Sequence, residues 1–144
     1  PSALTSDQGW DTLKESSFLT EITARLKEQG IRVSIFLDAS PRMVEGAASI
    51  GADRVEFYTG PFAAQYRTDP RAAIAGHIAA AQEASQLNVG VNAGHDLNLD
   101  NLRFYASMIP NLLEVSIGHA LVCDALYYGL SNVIGMYQHQ LRSI

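Results

Sequence analysis

The sequence holds one cysteine, Cys123, among 144 residues. No internal disulfide can form, so the fold must rest on a hydrophobic core. Lysine is almost missing: Lys14 and Lys27 are the only two, and both fall in one early helical segment. A Schiff-base mechanism needs a lysine amine in an enclosed site, and these residues offer no candidate. Basic runs are missing too. The formal net charge is −5, and the basic footprint that nucleic-acid binding requires is not there. No apolar stretch approaches membrane-spanning length and nothing resembles a signal peptide, so no membrane partner and a cytoplasmic location are expected. "GIRVSIF" and "GADRVEF" lack a glycine-rich dinucleotide fingerprint. No histidine pair has the close spacing of a helical zinc motif, so no metal ligands are expected.

What is present is a globular composition. Apolar residues make up 47% and charged residues 17%, enough for one domain with a real core and unlike a disordered chain. The chain begins at Pro1 without Met, in the polar segment "PSALTSDQGW", which reads as a fragment or a processed piece.

The apolar pattern switches between two periods. Leu13, Phe18, Leu19, Ile22 and Leu26 give a helical stripe between Trp10 and Glu28, with Gly30 as a left-handed cap. "RVSIFLDA" is β-branched and aromatic, as a buried strand is. Ser40 and Pro41 form an N-cap and first-turn proline for a helix to about Ile50. "RVEFYTG" is a second strand. Asp69 and Pro70 start an Ala-rich helix that stops near Asn88. "NVGVNAG" is a third strand, and Asn98 is placed to cap a helix that Pro110 ends. "LEVSIGHA" holds a fourth strand. A short helix from about Ala120 and a longer one follow, jointed at Gly129. Alternating strands and helices, with no hairpin signal, imply an α/β fold with a parallel sheet and right-handed crossovers. Two architectures compete: a small doubly wound sheet, or half of a (β/α)8 TIM barrel, whose whole takes about 250 residues.

In both, functional groups gather at the carboxyl ends of the strands. Those ends carry Asp38, then Glu56 with Tyr58 and Thr59, then Asn92 and His95, then Gly118 and His119. A core-only reading needs a private hydrogen-bond partner for each. His95 follows "NAG", so a tight turn can aim its ring at the strand-end mouth, where an imidazole suits proton transfer. The bland alternative is a loop histidine capping the next helix. Glu56 alternates with Val55 and Phe57 and so points away from both. If they pack on helices, it points into a barrel, where a carboxylate is costly unless paired or useful. The alternative is the open face of an edge strand. Gly118 and His119 precede a short helix, a natural phosphate seat, or else an ordinary helix start. Asp38 before Ser-Pro is better explained as a turn residue. His77 and His139 read as structural or solvated, and Cys123 as a small core residue.

With those residues in view, the chain resembles the pyridoxine 5′-phosphate synthases of vitamin B6 biosynthesis. The likeness runs from about Leu4 to Leu141. It rests on "LTSDQGWD", "VSIFLDA", "GADRVEFYTGPFA", "VNAGHDLN" and "EVSIGHALV", in order and at compatible spacing. The resemblance implies a (β/α)8 barrel of which residues 1–144 form the C-terminal half, strands five to eight. It implies condensation of 1-deoxy-D-xylulose 5-phosphate with 3-amino-2-oxopropyl phosphate to pyridoxine 5′-phosphate, phosphate and water, with no metal or redox cofactor. The family's proton donor falls on His95 and its transition-state carboxylate on Glu56. Contacts to the aminoketone phosphate fall on Asp96, Gly118 and His119, and a contact to the pentulose phosphate on Thr5. Many relatives carry Gly where this chain has Asp96, whose side chain is expected to turn away. The family's other catalytic residues lie in the first half of the barrel. The isolated chain is therefore expected to have little activity, and to pair with a first-half partner or self-associate; the family is oligomeric. Two other readings remain: another phosphosugar barrel (isomerase or aldolase), and a non-enzymatic doubly wound binding domain. The last predicts a monomer, a sheet covered on both faces, and no convergence of His95 with Glu56.

Overall fold

Apolar residues occupy every second position of the strand segments, and a computed structural model, which describes residues 6–142, places them on one side of a single sheet. Strands β1 (Ser34–Asp38), β2 (Arg54–Tyr58), β3 (Gly90–Gly94) and β4 (Leu112–Ser116) are all parallel and lie in the order β1-β2-β3-β4. Ile35, Leu37, Val55, Phe57, Val91 and Ala93 are buried in one core. Each such side chain contributes about 1.5–3 kcal/mol when fully buried, the alanine less. Facing them are residues of helices α2 (Pro41–Ser49), α4 (Pro70–Gln86), α5 (Leu102–Met108) and α7 (Leu130–Arg142). Helices α1 (Ser16–Glu28), α3 (Gly60–Tyr66) and α6 (His119–Tyr128) complete the described residues.

Consecutive parallel strands joined by crossovers of one hand place all their helices on the same side of the sheet. A doubly wound sheet covers both faces by reversing strand order at a switch point. This sheet has no reversal. Its second face carries the intervening side chains: Phe36 and Asp38, Glu56 and Tyr58, Asn92, Glu114 and Ser116. Register puts Phe36, Glu56, Asn92 and Glu114 in one row across the strands, and Asp38, Tyr58, Gly94 and Ser116 in the next. A bulge opposite Val91 and Asn92 gives β4 one extra residue there.

Local signals account for the element ends. Gly30 has φ 71° and Gly51 has φ 81°. After each, a backbone N–H reaches back five residues, Ile31 to Leu26 and Ala52 to Ala47, which is the Schellman ending. Asn88, with φ 57°, ends α4 in the same way through Val89 and Ala84. Asp69 caps α4 by accepting from Arg71 and Ala72 N–H at 3.1 and 3.0 Å.

Two expectations change. The first helix starts at Ser16, not Trp10, because the preceding segment is used elsewhere. Trp10 N–H donates to Phe36 O at 2.8 Å along the β1 edge, and Gly9 sits so close that a Cβ there would overlap the Leu37 backbone. Asn98 caps the turn that leads into α5, as expected: its side chain accepts from Asp100 and Asn101 N–H at 2.9 and 3.3 Å and its carbonyl from Leu102 N–H at 2.9 Å, although the regular helix begins only at Leu102. Cys123 is exposed rather than in the core. No side chain of helix α6 is fully buried; Leu121 and Ala125 pack partly against the core, and Tyr137 of α7 donates to Asp124 at 2.8 Å.

His77 is buried, the structural one of its two readings. Its Nδ1 lies 2.9 Å from Tyr105 Oη, with Phe57 and Phe62 rings at 6.0 and 6.1 Å. Burial lowers its pKa from 6.5 to about 4. Between those values the unfolded chain binds the extra proton and the folded chain does not. The folded state is therefore expected to lose up to about 3 kcal/mol from this residue as pH falls from near 6.5 towards 4. Urea melts across that window should show the loss in the wild type and a flatter profile in His77→Gln.

Candidate active site

The carboxyl ends of the strands open into a cleft of about 870 Å³, lined by Glu56, His95, Asp96, Ser116, Gly118 and His119 among others. Five of the six residues singled out in the sequence thus meet in one place. The sixth, Thr5, lies outside the described residues.

Strand alternation puts Glu56 on the open face, opposite Phe36 and Asn92 in the neighbouring strands. Its carboxylate lies across the sheet over Gly94. A Cβ on Gly94 would overlap Glu56 Oε1. The glycine of "NAGH" is therefore the seat of the carboxylate from the strand beside it. Partial burial raises the Glu56 pKa, nearby His95 opposes that rise, and Glu114 adds to it.

His95 stands just past β3 with φ 72°, followed by Asp96 at φ 41°. Two non-glycine residues in the left-handed region give the tight turn that "NAGH" suggests. The imidazole packs against Phe36 at 4.6 Å and edge-on to Tyr58 at 5.6 Å. Its Nδ1 is buried and has no hydrogen-bond partner among the described residues, which leaves Nε2 as the nitrogen open to the cleft. Asp96 is exposed, and its carbonyl accepts from Asn101 Nδ2 at 3.2 Å. Left-handed backbone suits Gly, Asn or Asp, so an aspartate fits a position where glycine also would. Its charge, after burial, helps to raise the Tyr58 pKa.

Gly118 is the N-cap of α6, and a Cβ there would meet nothing within 4 Å. Gly118, His119 and Ala120, at the start of the helix, line the same cleft as Glu56 and His95. Such a terminus favours an anion. His119 Nε2 is 3.5 Å from Cys123 Sγ, one helical turn along.

Other strand-end groups have structural work. Arg54 Nη1 donates to Asn92 Oδ1 at 3.1 Å and to Glu114 Oε2 at 3.2 Å, so Asn92 belongs to the floor under the cleft. Asp38, the last residue of β1, is exposed and accepts from Gly9 N–H at 3.4 Å, a long-range contact rather than a local turn bond. Phe36 had no role in the sequence, although strand parity alone sets it beside Glu56. Thr59 was visible as a strand end, but nothing in the sequence tells that its side chain reaches β3. Among the described residues no group of three or more His, Cys, Asp or Glu is placed to hold a metal ion, and no helix is long and apolar enough to cross a membrane.

Comparison with known proteins follows the same line. The family described as "Pyridoxal phosphate biosynthesis protein PdxJ" matches residues 1–143. A pyridoxine 5′-phosphate synthase of Cytophaga hutchinsonii is 56% identical over 140 residues, 97% of this chain and 59% of that protein. One from Flavobacterium johnsoniae is 49% identical, with the same coverage. One from Bacteroides thetaiotaomicron is 51% identical over 142 residues, 99% of this chain and 60% of that protein. The chain thus spans about three-fifths of the length of the curated relatives it matches.

The charges around Glu56 set its titration. Carbon-13 NMR of the glutamate carboxyls is expected to show Glu56 titrating above the ordinary value of 4.5. Glu114→Gln removes a like charge and should lower that pKa. His95→Ala removes the one group that opposes the rise and should lift it further. Shifts of the opposite sign would refute this account of the site's electrostatics.

Proposed function

Because the chain belongs to the PdxJ family of pyridoxal phosphate biosynthesis proteins, we propose that it carries the C-terminal part of a pyridoxine 5′-phosphate synthase active site. The observation that carries this reading is the convergence of Glu56, His95, Gly118 and His119 on one cleft. A doubly wound binding domain gives no reason for it. The substrates are phosphorylated small molecules, 1-deoxy-D-xylulose 5-phosphate and 3-amino-2-oxopropyl phosphate, and the chain acts in the cytoplasm without a metal or redox cofactor.

Joining the amine of one substrate to the carbonyl of the other expels water, and later steps expel phosphate and close the ring. Each leaving oxygen needs a proton. His95 supplies it through Nε2, the nitrogen that faces the cleft, at a pH where imidazole readily holds and releases a proton. Glu56, whose carboxylate lies over Gly94, stabilises the positive charge that develops on the condensing nitrogen. Gly118, His119 and the first turn of α6 receive the aminoketone phosphate, with the Asp96 backbone at the rim. Thr5 contacts the pentulose phosphate.

The sheet is, in this proposal, a sector of a (β/α)8 barrel corresponding to strands five to eight, and residues 1–144 belong to that one domain. Its order without reversal, its helices on one face and its polar second face all suit a barrel wall. The remaining wall, with further catalytic groups, comes from the part of the family's barrel that these residues do not include. Without it β4 is an open edge and β1 is covered only beside Gly9 and Trp10; such edges draw partners, and the assembled enzyme is a homo-oligomer.

Mixing this chain with the remaining N-terminal portion of the Cytophaga hutchinsonii relative tests the proposal. Pyridoxine 5′-phosphate should appear with the mixture and hardly at all with either part. His95→Ala and Glu56→Ala should each lower kcat by about 10²–10⁴-fold. Undiminished turnover in the double variant would sink the catalytic assignment. Size-exclusion chromatography of the chain alone should show self-association, and a stable, well-folded monomer would contradict the open-edge reading.

A further inference from the structure

We propose that Thr59 is a positioning residue for His95, a clamp that fixes the left-handed turn and so sets the direction of the imidazole. The proposal deepens the reading of His95 as the acting group, and rests on that reading only for its catalytic consequence.

Thr59 stands at the N-cap of α3, where a threonine hydroxyl usually accepts from its own helix. It makes no such bond. Fully buried, the hydroxyl turns instead to the next strand. Oγ1 lies 2.7 Å from Gly94 O and also within reach of His95 O, sharing its one proton between the two carbonyls. Thr59 N–H donates to Gly94 O as well, at 3.1 Å. The His95 carbonyl takes a further N–H from Leu97.

These two carbonyls belong to the peptide planes on either side of the His95 Cα. Fixing both planes fixes φ and ψ of that residue, and with them the Cα–Cβ direction. The conformation needs holding, because left-handed backbone is strained for non-glycine residues and His95 and Asp96 are consecutive in that region, at φ 72° and 41°. Released, the turn would relax towards ordinary backbone. The ring would then leave its place between Phe36 and Tyr58. Thr59 also lies three residues after Glu56, just past the end of the same strand. The hydroxyl therefore carries the β2–β3 pairing one step past its last pair, Tyr58 with Gly94, into the turn that holds the imidazole.

The test compares Thr59→Val, which keeps the shape and loses the donor, with Thr59→Ser, which keeps the donor. In this chain, NMR of the His95 ring, assigned by its loss in His95→Gln, reads the ring's place against Phe36 and Tyr58. Thr59→Val is expected to move the His95 ring resonances towards those of a free imidazole. Thr59→Ser should restore the wild-type values. The His77 resonances, from the far side of the sheet, should stay unchanged in both and so report an intact fold. A folded Thr59→Val with an unmoved His95 signal overturns the proposal. Should Thr59→Val not fold, the wild type still decides: its Thr59 hydroxyl proton must exchange slowly with water, and rapid exchange overturns the clamp. In the reconstituted enzyme, Thr59→Val should lower kcat by on the order of 10²-fold with KM nearly unchanged, and Thr59→Ser should rescue it. If His95→Gln leaves turnover intact, the catalytic reading fails, while the clamp is still judged by the spectra.

Discussion

Side chains of a β-strand alternate between two faces, and here only one of those faces has helices to pack against. Everything else in the molecule follows from that constraint. The residues that meet the helices must be apolar, and they are: Ile35 and Leu37, Val55 and Phe57, Val91 and Ala93. The residues between them are released from packing and can carry chemistry. Glu56 sits between Val55 and Phe57 for this reason. A carboxylate at the same depth but opposite parity would lie in a dry core without a partner, at severe cost.

The second device is the turn that ends β3. Regular strand geometry would send His95 onward along the strand. Two left-handed residues bend the chain instead, and the bend brings the ring against Phe36 and Tyr58. Gly94, just before the bend, has no side chain, and Glu56 from the adjacent strand occupies that space. The four letters "NAGH" thus serve three purposes: Asn92 joins Arg54 and Glu114 in the floor, Gly94 makes room, and His95 faces the cleft. Unfavourable local backbone at a functional site, held in place by its surroundings, is a common arrangement.

Much of this was legible in the sequence. The four strands, the Schellman endings at Gly30 and Gly51 and the capped start at Asp69 all follow from local chemistry, which needs no knowledge of distant contacts. Parity placed Glu56 on the open face, and the glycine before His95 announced a turn. What was not legible depended on segments far apart in the chain. Helix α3 was missed because seven residues show no periodicity. The start of α1 was misplaced because Trp10 bonds to Phe36, a partner twenty-six positions on. Cys123 looked like a core residue because α6 is apolar, yet that helix buries none of its side chains fully. The reach of Thr59 across to β3 is likewise a fact of tertiary geometry, since any threonine before Gly-Pro reads first as a cap.

Helix α6 has a further consequence. Its first turn borders the cleft, but none of its side chains is fully buried, and the Tyr137 hydroxyl to Asp124 is a specific tie from α7. The placement of the cleft's anion-facing wall is thereby delegated to the last helix of the described chain. Alterations in α7 would reach the rim of the cleft through this bond and through the packing of α6 on α7. For anyone building variants of this protein, a change in α7 is a change near the cleft, although α7 stands far from Glu56 in sequence.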